Sequence, residues 1–108
     1  MSIVSKPPRL ADQLREADAT VWREVENEVM PRVLAALRRR FGAGRHWQDL
    51  EGFARSAQRA AWRLLIQGRC DPLEELQSLD QLEGWLVLVA SRKFSDALRR
   101  AGRETAHA

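Results

Sequence analysis

From Trp85 to Arg100 the chain runs without a glycine or a proline, and its apolar residues repeat near the helical period. Wound as an α-helix, Leu82, Trp85, Leu86, Val89, Ala90, Phe94, Ala97 and Leu98 form one stripe. A strand would scatter them over both faces, so the segment predicts a long helix packed on a core. Its far half is cationic, with Arg92, Lys93, Arg99 and Arg100, then Arg103, and only Asp96 among them. One rigid rod, anchored by its apolar start, can therefore present positive charge to a polyanion.

The remaining residues point to the same fold class. A chain of 108 residues is expected to be one domain. At that size folding hides roughly 65% of the extended chain's surface, enough for a core without staples. Tyrosine is absent, and only four prolines and six glycines occur, which argues against an all-β fold. Alanine, leucine, arginine, glutamate and glutamine, all good helix formers, dominate instead. The expectation is an all-α, compact bundle of three to five helices. It has a flexible arm over 1–9, a helical domain over 10–103 and a tail over 104–108.

Helical patterning begins near Leu10 and runs through Leu14. Thr20 resembles a cap before a stripe of Val21, Trp22, Val25 and Val29. Pro31 either kinks that helix after Met30 or occupies the first turn of a new one. Val33, Leu34, Leu37 and Phe41 continue the stripe, Arg38 to Arg40 suit a helix C-terminus, and Gly42 to Gly44 end it. The next helix should start between His46 and Asp49 and reach Gln67, burying Leu50, Phe53, Ala54, Ala57, Ala61, Leu64 and Leu65. A turn of helix is expected around Leu73 to Leu76, and Ser78 or Asp80 can cap the last helix. Trp22, Trp62 and Trp85, at helical spacing, are expected in the core.

Charge is unevenly spread although the formal net charge is only +3. Between Asp71 and Glu83 there are five acids and no cation, whereas the segment from Arg92 onward reverses that sign. Nucleic acid suits the second segment, while the first would repel it or meet a basic protein. The lone Cys70 cannot form an internal disulfide, and with only His46 and His107 it offers no metal-ligand spacing. A reducing, cytoplasmic location is therefore expected, with no cofactor. The longest apolar run, Trp85 to Ala90, is too short to cross a bilayer. Cys70 and His46 lack a third orienting group, and Gly42-Ala43-Gly44-Arg45 lacks a phosphate-loop lysine, so no enzyme is expected.

Several segments, in this order, resemble the second conserved region of the extracytoplasmic-function sigma factors, promoter-recognition subunits of bacterial RNA polymerase. Pro31-Arg32-Val33-Leu34 through Leu37-Arg38-Arg39-Arg40-Phe41-Gly42 resembles the opening helix, and Trp47-Gln48-Asp49-Leu50 the start of the second. Gly68-Arg69, Leu82, Trp85-Leu86-Val87, Ser91-Arg92-Lys93 and Asp96-Ala97-Leu98-Arg99-Arg100 resemble the family's closing string, in a form similar to planctomycete-type members. The resemblance spans roughly Met30 to Arg103.

The resemblance implies a promoter-binding helical domain. Arg92, Lys93, Arg99, Arg100 and Arg103 would hold DNA phosphates, for which guanidinium forks are suited. The connector from Gln67 to Gln81, with Arg69, Gln77 and Ser78, falls where the family traps an unpaired base of the minus-ten element. The polar side of the second helix, Asp49, Glu51, Arg55, Gln58 and Arg59 with Trp47 at its start, would dock on core RNA polymerase. The partner surface there is the clamp helices of the beta-prime subunit, and an anti-sigma factor is a further expected partner. The family's helix-turn-helix domain has no counterpart in these residues, so the chain is expected to be a fragment or a single-domain member. That difference also suits a sigma-derived protein-interaction module, and the arginine clusters suit a bundle binding nucleic acid non-specifically.

Overall fold

The computed structural model describes residues 9–16, 19–42, 47–68 and 71–106, with side chains omitted for 47, 48, 71 and 103–106. Arg69, in the connector expected to trap a base, lies outside the described residues. All regular structure among the described residues is helical: α1 (Leu10–Arg15), α2 (Ala19–Glu24), a π-helical turn (Val25–Val29), α3 (Met30–Phe41), α4 (Trp47–Gln67), α5 (Asp71–Glu74) and α6 (Leu79–Ala106). The all-α expectation holds. Among these residues no helix is long and apolar enough to cross a membrane.

Pro31 accounts for the π-turn. It has no N–H to give the carbonyl one turn back, and its ring would clash there in an α-helix. Instead the N–H of Met30 bonds to the carbonyl of Val25, five residues back, and Pro31 enters the first turn of α3. The wider turn lets α2 continue into α3 as one rod. Both sequence options for Pro31 are thus merged: a new first turn follows without a break.

The core forms where α3, α4 and α6 pack side by side. Val33 and Leu37 of α3, Leu50, Ala54, Ala57, Ala61 and Leu65 of α4, and Leu82, Leu86, Ala90 and Phe94 of α6 are all buried. The alanines of α4 recur at helical spacing and present a low ridge for a neighbouring helix. Rings of Phe41 and Phe53 meet Phe94 edge-on, with centroids 4.6 and 5.6 Å apart respectively, so one phenylalanine joins three helices. Here one expectation is corrected. Leu98, assigned to the buried stripe, is 43% exposed, because the buried side of α6 ends at Phe94 and every residue from Leu98 to Gly102 is exposed.

Helix ends are satisfied by a few specific contacts. Gly68 at φ +66° ends α4, its N–H reaching the carbonyls of Leu64 and Leu65. Arg15 Nε donates to the same Leu65 carbonyl at 2.7 Å, placing a cation at that helix C-terminus. Ser78 Oγ accepts the N–H of Gln81 at 3.3 Å and caps α6, while Gln81 Oε1 accepts the N–H of Gln77 at 2.8 Å.

Arg9, the last residue of the segment expected to be a flexible arm, is held by side-chain contacts. Its guanidinium bridges Asp12 at 3.2 Å and Glu74 at 2.9 Å, and Arg15 also pairs with Asp12 and Glu74.

Candidate functional site

The cationic end of α6 is built as the apolar patterning implies. Four buried residues at one-turn intervals, Leu82, Leu86, Ala90 and Phe94, clamp the first half against α3 and α4. Between Ala90 and Phe94, Arg92 is exposed and Lys93 half-buried, and beyond Phe94 both Arg99 and Arg100 are exposed. Arg99 donates to Asp96 at 2.7 Å, a surface pair in which both side chains remain more than half exposed. Arg92, Lys93 and Arg100 form no ion pair among the described residues. Arg103 lies on the backbone of the same helix, its side chain outside the described set.

Arg40, in the last turn of α3, adds a cation that the sequence had joined to this group only in the reading of a non-specific nucleic-acid surface from Arg38 to Arg45 and Arg92 to Arg103. It borders a groove of about 430 Å³ together with Ser91, Arg92, Ser95, Asp96 and Arg99 of α6, with Leu88 at its edge. The signal was present but ambiguous, because Arg38-Arg39-Arg40 is also what a helix C-terminus prefers. Only the packing of α3 on α6 selects Arg40 from the three.

The connector residues stand apart from this end. Gln77 is exposed, and the Ser78 hydroxyl is engaged as the α6 cap. From Ser78 to Arg99 the helix rises about 30 Å, so the two sets can meet one strand only if it runs along α6. Part of the acidic character of the connector is met within the protein. Glu74 is bridged by Arg9 and Arg15, while Asp80 and Glu83 stand 3.6 and 4.0 Å from Arg32 of α3. Repulsion of a nearby phosphate is correspondingly weaker than the bare sequence implies.

A second region gathers three of the six residues expected on the docking face of α4. Arg55, Gln58 and Arg59 line another groove of about 430 Å³ with Glu26, Trp22 and Trp62. Gln58 donates to Glu26 at 2.7 Å, and Arg55 stands 3.6 Å from Glu51. Asp49 is exposed about two turns before Arg55, near the start of α4, and the Trp47 side chain lies outside the described set. Trp22 and Trp62, expected in the core, are only half-buried and form the apolar wall of this groove. Their rings meet edge-on at 5.6 Å, and Trp22 Nε1 is tied to the carbonyl of Leu14 at 2.9 Å. Trp85 is half-buried against the core, in line with its position on the α6 stripe.

The Arg9 and Asp12 titrations are displaced in opposite directions by their mutual contact. A hydrogen bond from Arg9 is the largest cause holding the Asp12 carboxyl below the usual carboxylate range; desolvation opposes it next in size, and the charges of Arg9 and Arg15 with a hydrogen bond from Arg15 add to the lowering. Among the described residues no cluster of His, Cys, Asp or Glu is arranged to hold a metal ion. No family model matches the chain, and no curated protein or solved structure matches it either.

Proposed function

We propose that this chain is a promoter-binding domain of an alternative sigma factor of the extracytoplasmic-function type, acting in the cytoplasm with core RNA polymerase. The observation that carries this is the exposed cationic end of α6, held rigid by a buried first half and only lightly engaged by the protein's own acids. Arg92, Arg99 and Arg100, with Lys93 and Arg103, bind phosphates of promoter DNA. The α4 groove walled by Trp22 and Trp62 receives the clamp helices of the beta-prime subunit, with Arg55 and Arg59 facing their acids. Duplex opening draws on binding energy alone, with no nucleotide hydrolysis and no cofactor in this chain.

The test is reconstitution with core polymerase on a promoter fragment. Reversing Arg99 and Arg100 to glutamate is expected to abolish the promoter complex while polymerase still co-purifies. The slope of log affinity against log salt should fall by about 0.9 for each phosphate that is no longer neutralised. Undiminished promoter binding by that double variant would overturn the assignment of α6.

A second reading, a protein-interaction module on the same helical fold, is favoured by the aromatic wall of the α4 groove, since paired tryptophans are common anchors of protein interfaces. It predicts salt-insensitive association with a protein partner and no affinity for DNA.

A further inference from the structure

We propose that the groove between the end of α3 and the middle of α6 is an oxyanion seat that takes one phosphate group, with Arg40 closing it from the second helix. The identity of that phosphate as part of a promoter strand rests on the function proposed above; the seat itself does not.

Three observations lead to it. Leu88, Ser91, Arg92, Ser95 and Arg99 recur at one-turn intervals, so a single stripe of α6 carries two hydroxyls and two guanidinium groups into the same groove. Arg40 joins them from α3, its guanidinium 5.6 Å from the centre of the Phe41 ring, an arrangement that restrains the long side chain. Ser91 is 2% exposed, and its Oγ has no hydrogen-bond partner among the described residues. Buried hydroxyls are nearly always paired, and an unpaired one is costly to keep. A ligand oxygen entering the groove supplies the missing partner.

The chemistry of the donors selects the ligand. Three guanidinium groups face one carboxylate, Asp96, which is itself bound to Arg99 at 2.7 Å, so the groove keeps an excess of positive charge. A single acid excludes a divalent cation as the occupant. A carboxylate has two oxygens to offer, whereas guanidinium forks from two helices plus two hydroxyls match the larger set of acceptors on a tetrahedral phosphate. Asp96 sets the Arg99 fork at the rim and weakens the site by its charge.

The experiment uses the full chain with two probes, inorganic phosphate and a single-stranded oligodeoxynucleotide, followed by amide chemical shifts and by binding titration. Phosphate is expected to shift Ser91, Ser95 and the Arg40 side chain. Arg40→Gln and Ser91→Ala should each weaken phosphate binding about tenfold, the usual effect of losing a hydrogen bond to a charged group. Arg40→Gln should also lower the oligonucleotide salt slope by about 0.7, the value for one phosphate on a single strand, while the neutral change at Ser91 leaves the slope alone. Ser91→Ala should raise the thermal midpoint in phosphate-free buffer, because it removes an unpaired buried hydroxyl, so weaker binding cannot be ascribed to misfolding. Arg23→Gln, on exposed α2, serves as the charge-loss control. Wild-type affinity for both probes in Arg40→Gln and Ser91→Ala overturns the seat, even if reversing Arg99 and Arg100 abolishes promoter binding. Phosphate binding that depends on Arg40 and Ser91, without any binding of promoter DNA, upholds the seat and overturns the promoter assignment.

Discussion

Arg15 shows how much one side chain can settle in a small helical protein. Its guanidinium reaches the Leu65 carbonyl at the end of α4, Asp12 within α1, and Glu74 in α5. Removing it leaves a helix C-terminus without its cation and a half-buried acid with fewer partners. Asp12 gives this cluster a pH signature. Its folded pKa lies below the unfolded value, so its contribution is present above about pH 4 and is lost as pH falls through the folded pKa. Asp12→Asn should therefore lower the denaturation midpoint near neutrality, with the gap to wild type closing in acid. A gap that stays constant from about pH 6 to strongly acidic buffer would show that the Arg9–Asp12 pair does not matter in solution. Ser78 makes a cleaner test of a single hydrogen bond. Ser78→Ala should cost about 1 kcal/mol in urea unfolding, the usual value of a lost N-cap, without moving DNA affinity. A loss of DNA binding larger than the loss of stability would return Ser78 to the nucleic-acid surface.

Among the elements, the rod from Ala19 to Phe41 and the long helix α6 behave differently. The first tolerates a proline in mid-course because the preceding turn widens, with Met30 bonding to Val25. The second contains no such break and crosses the whole bundle. Its first half is fixed by Leu82, Leu86, Ala90 and Phe94, whereas the residues from Leu98 to Gly102 are all exposed. Amide exchange should follow that division, with protection high up to Phe94 and falling beyond Leu98. Uniform protection through Arg100 would mean that another surface covers the cationic end. At the end of α4, Gly68 sits at φ +66° with open space where a Cβ would go, so only backbone conformation opposes a side chain. Gly68→Ala should then destabilise by about 1–2 kcal/mol, the cost of a left-handed L-residue, measured by thermal unfolding.

For the whole molecule, Phe94 is the common point of the three packed helices, edge-on to Phe41 of α3 and Phe53 of α4. Phe94→Ala should cost about 3–5 kcal/mol in chemical denaturation. Because it also loosens the joint between α3 and α6, it should weaken anion binding at Arg40 more than at Arg100. Equal loss at both positions would mean that the two helices are not coupled through that ring. The two grooves lie on different helix pairs, one between α3 and α6 and the other lined from α2, the π-turn and α4. On the function proposed above, Trp62→Ala should impair association with core polymerase in pull-down while leaving oligonucleotide affinity unchanged. That separation of effects is what a domain bridging an enzyme and its template requires.

Helix positions, the buried faces of α4 and α6, and the cationic end of α6 were legible in the order of residues alone. Periodicity is a local property, and a stripe of apolar side chains declares its own inner face. Leu98 misled because periodicity cannot report where the buried side of a helix ends. Trp22 and Trp62 misled because a ring at helical spacing can roof a groove as readily as fill a core. Arg40 and the hydroxyl of Ser91 lie 51 positions apart in the chain, and nothing local relates them. They share a groove because α3 packs on α6, and that is a matter of three-dimensional contact between distant segments, which no local pattern encodes.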